Sequence, residues 1–141
     1  MRTFYIFKIN KEIAILTKVN PYNIYKNIEQ IKKLGIQGLS LSYNIYEQLI
    51  SRIDSKKYNS KIYRLYKDND YYQKNRNIHC IHNKYKPEDT ILEIKNSYLL
   101  LQTNYLKPAF LKELTFDSDL FVCDFDNRDF FWIDEITYKS C

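Results

Sequence analysis

The 141-residue chain is poor in the residues that make sharp turns and open loops, with two Gly, three Pro and only two Ala. That scarcity excludes collagen-like repeats, Gly-rich linkers and the glycine loops that cradle phosphates. No P-loop, Rossmann fingerprint, nucleophile elbow or HExxH motif occurs, which weighs against a nucleotide-using enzyme. The three cysteines, Cys80, Cys123 and Cys141, form an odd set without paired spacing. This argues against a disulfide framework and for a reducing compartment. Long apolar runs are missing too. The opening run stops at Lys8, short for a secretory signal core, and the most apolar stretch, 98–101, falls far below the roughly 18 residues of a membrane span. The expectation is a soluble cytoplasmic protein with no membrane association and no cofactor.

What the chain does have is 18 Ile, 17 Lys, 14 Tyr and 13 Asn. AT-rich codons favour all four, so part of this excess reflects the genome rather than the fold. With 45% hydrophobic and 16% aromatic residues the chain can still build a real core. Its length suits one domain over 1–141. Charge is divided along it: residues 1–86 hold 17 Lys/Arg against 6 Asp/Glu, and residues 87–141 hold 5 against 11. A basic half fits an acidic partner, either nucleic acid or an acidic protein face. It equally fits mutual attraction of the halves, or Lys that merely keeps the surface soluble.

Local pattern predicts both strands and helices. Residues 3–9 are β-branched and aromatic and suit a strand. Residues 12–18 would return as its hairpin partner about Asn10 and Lys11. Asn20 and Pro21 then open a helix over 21–34, with an Ile24, Ile28, Ile31 stripe and Gly35 as its stop. Gly38 permits a further bend. A second helix is expected over 43–53 behind Ser42, and a third over 56–67. Short strands follow at 71–73 and 78–81. A hairpin is expected about Lys95 and Asn96, joining 90–94 to 97–103, and a short helix from Pro108 to Leu114. A last hairpin about Asp126 and Asn127 joins 120–125 to 129–133. This arrangement predicts a compact α+β two-layer domain with a mixed or antiparallel sheet and several helices.

Few residues suggest catalysis. His79, Cys80 and His82 are of zinc-ligand type, but on a strand the two histidines point to opposite faces and no second ligand pair exists. The acids Asp117, Asp119, Asp124, Asp126 and Asp129 begin like a calcium loop at Asp124. The pattern fails where Arg128 and Asp129 stand in place of a ligand and the required Gly. A charged hairpin tip is the simpler reading, and neither a catalytic nor a metal site is expected. The tyrosines interleaved with Lys in the basic half, among them Tyr22, Tyr25, Tyr58, Tyr63, Tyr66, Tyr71 and Tyr72, would suit a single-stranded nucleic-acid binder. They would equally suit a protein interface.

The two chain ends carry a more specific pattern. Phe4-Tyr5-Ile6-Phe7-Lys8-Ile9 is followed by Lys11-Glu12-Ile13-Ala14. The closing segment reads Phe121-Val122-Cys123-Asp124-Phe125, then Phe131-Trp132-Ile133. Together they resemble the SirA family, the sporulation inhibitor of replication proteins of low-GC Gram-positive bacteria. That family similarly opens with an aromatic strand and a Lys-Glu turn, and closes with an apolar-Asp-Phe strand before an aromatic-Trp-apolar one. The resemblance covers about 50 residues and leaves 36–88 unmatched. It implies a compact α/β domain that is not an enzyme. Such a domain binds the N-terminal domain of the replication initiator DnaA and blocks initiation of chromosome replication. The matched positions nearest a contact surface are Ile13 and Ala14, with Thr17 beyond. Strand alternation leaves open whether Ile13 and Ile15 face a partner or the core. The alternative function is the basic, Tyr-rich single-stranded nucleic-acid binder.

Overall fold

The computed structural model describes residues 1–34 and 48–135. Among these residues eight strands build one antiparallel sheet: β1 (Arg2–Ile9), β2 (Ile50–Ser51), β3 (Tyr72–Asn75), β4 (Ile78–Asn83), β5 (Glu88–Ile94), β6 (Leu99–Thr103), β7 (Leu120–Asp124) and β8 (Asp129–Trp132). The order is β3-β4-β5-β6-β1-β7-β8, with β2 pairing the end of β1. Strands β3 to β6 form a meander, and β7 and β8 a hairpin. The first strand of the chain inserts between these two local units. Its register sets Tyr5 opposite Leu100 on one side and Cys123 on the other. The expected α+β domain therefore forms, and every strand pairing in it is antiparallel.

The hairpin expected at 12–18 does not form. Residues Lys11–Thr17 are a helix, α1. Asn10 caps it, its side-chain oxygen accepting from the Glu12 N–H at 3.1 Å. The long-range fold explains the change. Both edges of β1 are already occupied, one by β7 and the other by β6 along Arg2–Ile6 and by β2 at Lys8 and Ile9, so no edge is free for a following strand. Helix α2 (Pro21–Leu34) has the expected span and buries Ile24, Tyr25 and Ile28. The third expected helix forms as α3 (Ser55–Tyr66), where Asp54 accepts from the Lys57 N–H.

Gly35, Gly38, Ser42 and residues 43–47 of the second expected helix lie outside the described residues. That helix does not continue to 53, because Ile50 and Ser51 pair with β1 as β2. The helix expected from Pro108 forms only as a 3-10 turn over Lys112–Phe116. Phe110 interrupts it with φ of 76°, a left-handed value that an α-helix cannot pass through. Its ring is fully buried against Tyr66, Tyr72 and His79.

Helices cover parts of both sheet faces. Alternation along the central strand sends Phe4 and Ile6 to one side and Phe7 and Ile9 to the other. The first side packs with Leu92, Leu99, Leu101 and Val122 under Tyr58 and Ile62 of α3. The second packs with Phe121, Cys123 and Trp132 under Ala14, Ile24, Tyr25 and Ile28 of α1 and α2. At one corner Arg2 ties the chain ends together. Its guanidinium donates to the buried Asp124 at 2.7 Å and reaches Asp129 at 3.2 Å. The two end segments that carry the SirA resemblance are thus adjacent strands of one sheet.

Candidate partner-binding surface

Helix α1 sits directly after β1, at the end of the sheet where β2 also joins. One face of it packs inward through Ala14, whose small side chain lets the helix approach the core closely. Ile13 and Thr17 lie half-buried beside it, and the Thr17 hydroxyl donates to the Ile13 carbonyl at 2.5 Å. Lys18 closes the element, with its ammonium 4.2 Å above the Trp132 ring and bonded to the Ser118 carbonyl. The opposite face presents Ile15 and Leu16, which are 70% and 78% exposed. Val19 follows at 93% and Tyr22, in the first turn of α2, at 53%. Consecutive apolar residues turned to solvent are unusual on a helix whose inner face is already packed, and such patches mark interaction sites.

Of the positions singled out from sequence, Ile13 and Thr17 therefore flank this surface, and Ala14 lies beneath it. The residues sequence reasoning did not select are Leu16 and Val19. Helical phase is what selects them. On a strand Ala14 and Leu16 share a face, whereas on α1 Ala14 turns in and Leu16 turns out.

The histidines separate as the strand reading expected. His79 is fully buried between two partners. Tyr72 donates its hydroxyl to Nδ1 at 2.7 Å, and Nε2–H donates to the Asn59 side-chain oxygen at 2.7 Å. Burial, with Lys74 nearby, lowers its pKa to about 4, so the ring is neutral and bridges β3, β4 and α3. His82 is exposed and bonds Asp89. Cys80 and Cys123 are free thiols whose pKa burial pushes up, the opposite of a reactive thiolate.

The acids divide between the two ends of β7. Asp117 receives Lys8 at 2.8 Å and the Tyr58 hydroxyl. Burial alone would raise its carboxyl, but these two donors outweigh it and hold the pKa below the usual range. Asp124 follows the same logic: burial raises it, and Arg2 and Asn127 bring it down. Both are structural anchors. No group of three or more His, Cys, Asp or Glu placed to hold a metal occurs among the described residues.

A cavity of ≈ 640 Å³ opens beside the start of β5, lined among others by Phe4, Glu88, Tyr105, Leu111, Glu113 and Phe131. Its carboxylates hold the fold together. Glu88 accepts from the Thr90 hydroxyl and the Ala109 N–H, and Glu113 from the Tyr66 hydroxyl at 2.6 Å. No Ser, Cys or His lines it. Four tyrosines of the basic half are likewise engaged. Tyr25 and Tyr58 are buried, while Tyr66 and Tyr72 are held by Glu113 and His79. Among the described residues no helix is long and apolar enough to cross a membrane. The chain matches no family model and no curated protein.

Proposed function

We propose that this protein is a non-enzymatic, SirA-like regulator that acts in the cytoplasm. It binds the N-terminal domain of the initiator DnaA and inhibits initiation of chromosome replication. The observation that carries this reading is the outward apolar surface of α1, formed by Ile15 and Leu16 and continued by Val19. It lies in the segment where the resemblance places the partner contact, with Ile13 and Thr17 at its margin and Ala14 as the spacer below. The pairing of the two resembling end segments as β1 and β7 supports the same reading, because it makes them one structural unit. An apolar centre with Lys11 and Glu12 at its rim has the composition of a transient protein interface. A stable contact needs roughly 1,000 Å² or more of total buried surface, so the patch would act as the centre of a larger footprint.

Inhibition in this reading is steric: the regulator occupies a surface the initiator needs for assembly. Titration calorimetry with the purified N-terminal domain of the cognate DnaA tests it. Binding at micromolar concentration or tighter is expected, with Leu16→Glu weakening it at least tenfold, since a hot-spot truncation costs about 2 kcal/mol or more. Absence of heat at 100 µM of both proteins, together with no co-elution on a sizing column, would remove the proposal.

A further inference from the structure

Helix α3 lies on the sheet face opposite α1. It carries Lys56, Lys57, Lys61 and Arg64, and Lys67 follows as its C-cap, with no acid between Ser55 and Lys67. At 3.6 residues per turn these five cations fall within an arc of roughly 140°. The buried positions Tyr58 and Ile62 and the half-buried Tyr66 lie on the other side of the helix. All five cations are exposed, and none forms an ion pair among the described residues. Of the neighbouring acids, Asp54 is engaged as the N-cap, and Asp68 and Asp70 lie beyond the C-terminal end. Lys74 of β3 and Arg76 of the β3–β4 turn are exposed cations as well. Lys57 and Lys61 stand 6.0 and 4.8 Å from the Phe116 ring, which limits their freedom before any ligand arrives.

We infer that this face of α3 binds the phosphate backbone of duplex DNA without reading its sequence. A row of exposed cations along about 17 Å of rigid helix complements a regularly charged polyanion. The occupant is taken as duplex rather than single strand because the face lacks a stacking platform. Of the aromatics beside it, Tyr63 is already tilted against Tyr72, and the Phe116 ring is already taken by Lys57 and Lys61. An ordinary solvated helix would intersperse both signs of charge, and this one does not. The inference stands independently of the initiator reading, since it uses the opposite face of the sheet.

Fluorescence anisotropy with a labelled 25-base-pair duplex of arbitrary sequence tests it on the full chain. Expected is binding in the micromolar range at 50 mM salt. Three to five phosphate contacts would weaken it roughly 50- to 500-fold by 200 mM. The triple substitution Lys56→Gln, Arg64→Gln and Lys67→Gln touches no packed side chain, and should flatten the log–log salt slope by about 2.5 to 3. Lys56→Arg with Lys67→Arg keeps both charges and should keep wild-type binding, while Leu16→Glu should leave DNA affinity unchanged. No binding at 50 mM salt, or an unaltered slope in the triple variant with unchanged circular dichroism, overturns the proposal. So does tighter binding to a single strand of the same sequence, or equal binding to polyglutamate, which would assign the face to another partner.

Discussion

The two faces of the sheet are built by different physics. Under α1 and α2 the core is almost wholly apolar and aromatic: Phe7, Ile9, Phe121 and Trp132 pack against Ala14, Ile24 and Ile28. Under α3 the apolar core is stitched by buried polar bonds. Tyr58 is held by Asp117, Tyr66 by Glu113, and His79 lies between Tyr72 and Asn59. Outside, the division runs the same way, with exposed apolar residues over the apolar core and exposed cations over the polar one. The difference teaches that one sheet can be held on its two faces by different interactions. It also implies that the faces should respond to different perturbations. Packing changes should hurt the α1 side most, and protonation the α3 side.

The largest effect is expected from Trp132→Ala. Trp132 is buried, meets Phe121 edge-on at 5.1 Å, and supports the Lys18 ammonium at the end of α1. Removing it leaves a large cavity in the most tightly aromatic part of the fold. A loss of about 3–5 kcal/mol in urea unfolding is expected, little changed between pH 5 and 7. A loss below about 1 kcal/mol would mean that this face is not held by packing.

The α3 side should instead show its weakness in acid. The folded pKa of His79 lies at about 4 against an ordinary 6.5. Between those values the unfolded chain binds the proton and the folded one does not, so stability rises with pH across that window. The contribution is complete above pH 6.5 and is lost as pH falls toward 4, an effect of about 3 kcal/mol. His79→Gln should flatten the curve in this window. It should leave the steeper fall below about pH 4, where Asp117 and Asp124 take up protons that their partners hold off in the native state. Equal slopes for both proteins between pH 4 and 6.5 would break the comparison.

How much of this was legible in the sequence depends on the range of the interaction. Helix α2 could be read because Pro21 and the Ile24, Ile28, Ile31 stripe lie within one element. The hairpins about Lys95–Asn96 and Asp126–Asn127 could be read because their strands are neighbours in the chain. The insertion of β1 between β6 and β7 was not legible, since the pairing of Tyr5 with Leu100 and with Cys123 has no local signature. Helix α1 was misread for the same reason. Its β-branched run suits a strand until the long-range pairing occupies both edges of β1. The role of His79 was hidden because its partners, Asn59 and Tyr72, come from two other elements. At the candidate surface the sequence pointed to residues 13–17, and helical phase is what distinguishes the outward Leu16 from the inward Ala14.

The smallest expected effect is the most informative about α1. If Leu16 served the fold, replacing it with a charge would cost the 2–5 kcal/mol typical of core leucines. At 78% exposure it has little apolar contact to lose. Surface substitutions away from caps and packed positions usually fall within about 0.5 kcal/mol. Leu16→Glu should therefore unfold at the wild-type urea midpoint to within that margin. Ala14→Leu, two residues away, should lose about 1–3 kcal/mol by overpacking the contact beneath the helix. Measured side by side, the pair separates a residue kept apolar for the fold from one kept apolar at no benefit to it. An exposed leucine that the fold does not need, beside an alanine that it does, is what a surface shaped for a partner requires. Equal destabilisation by both changes would instead make α1 an ordinary packed helix.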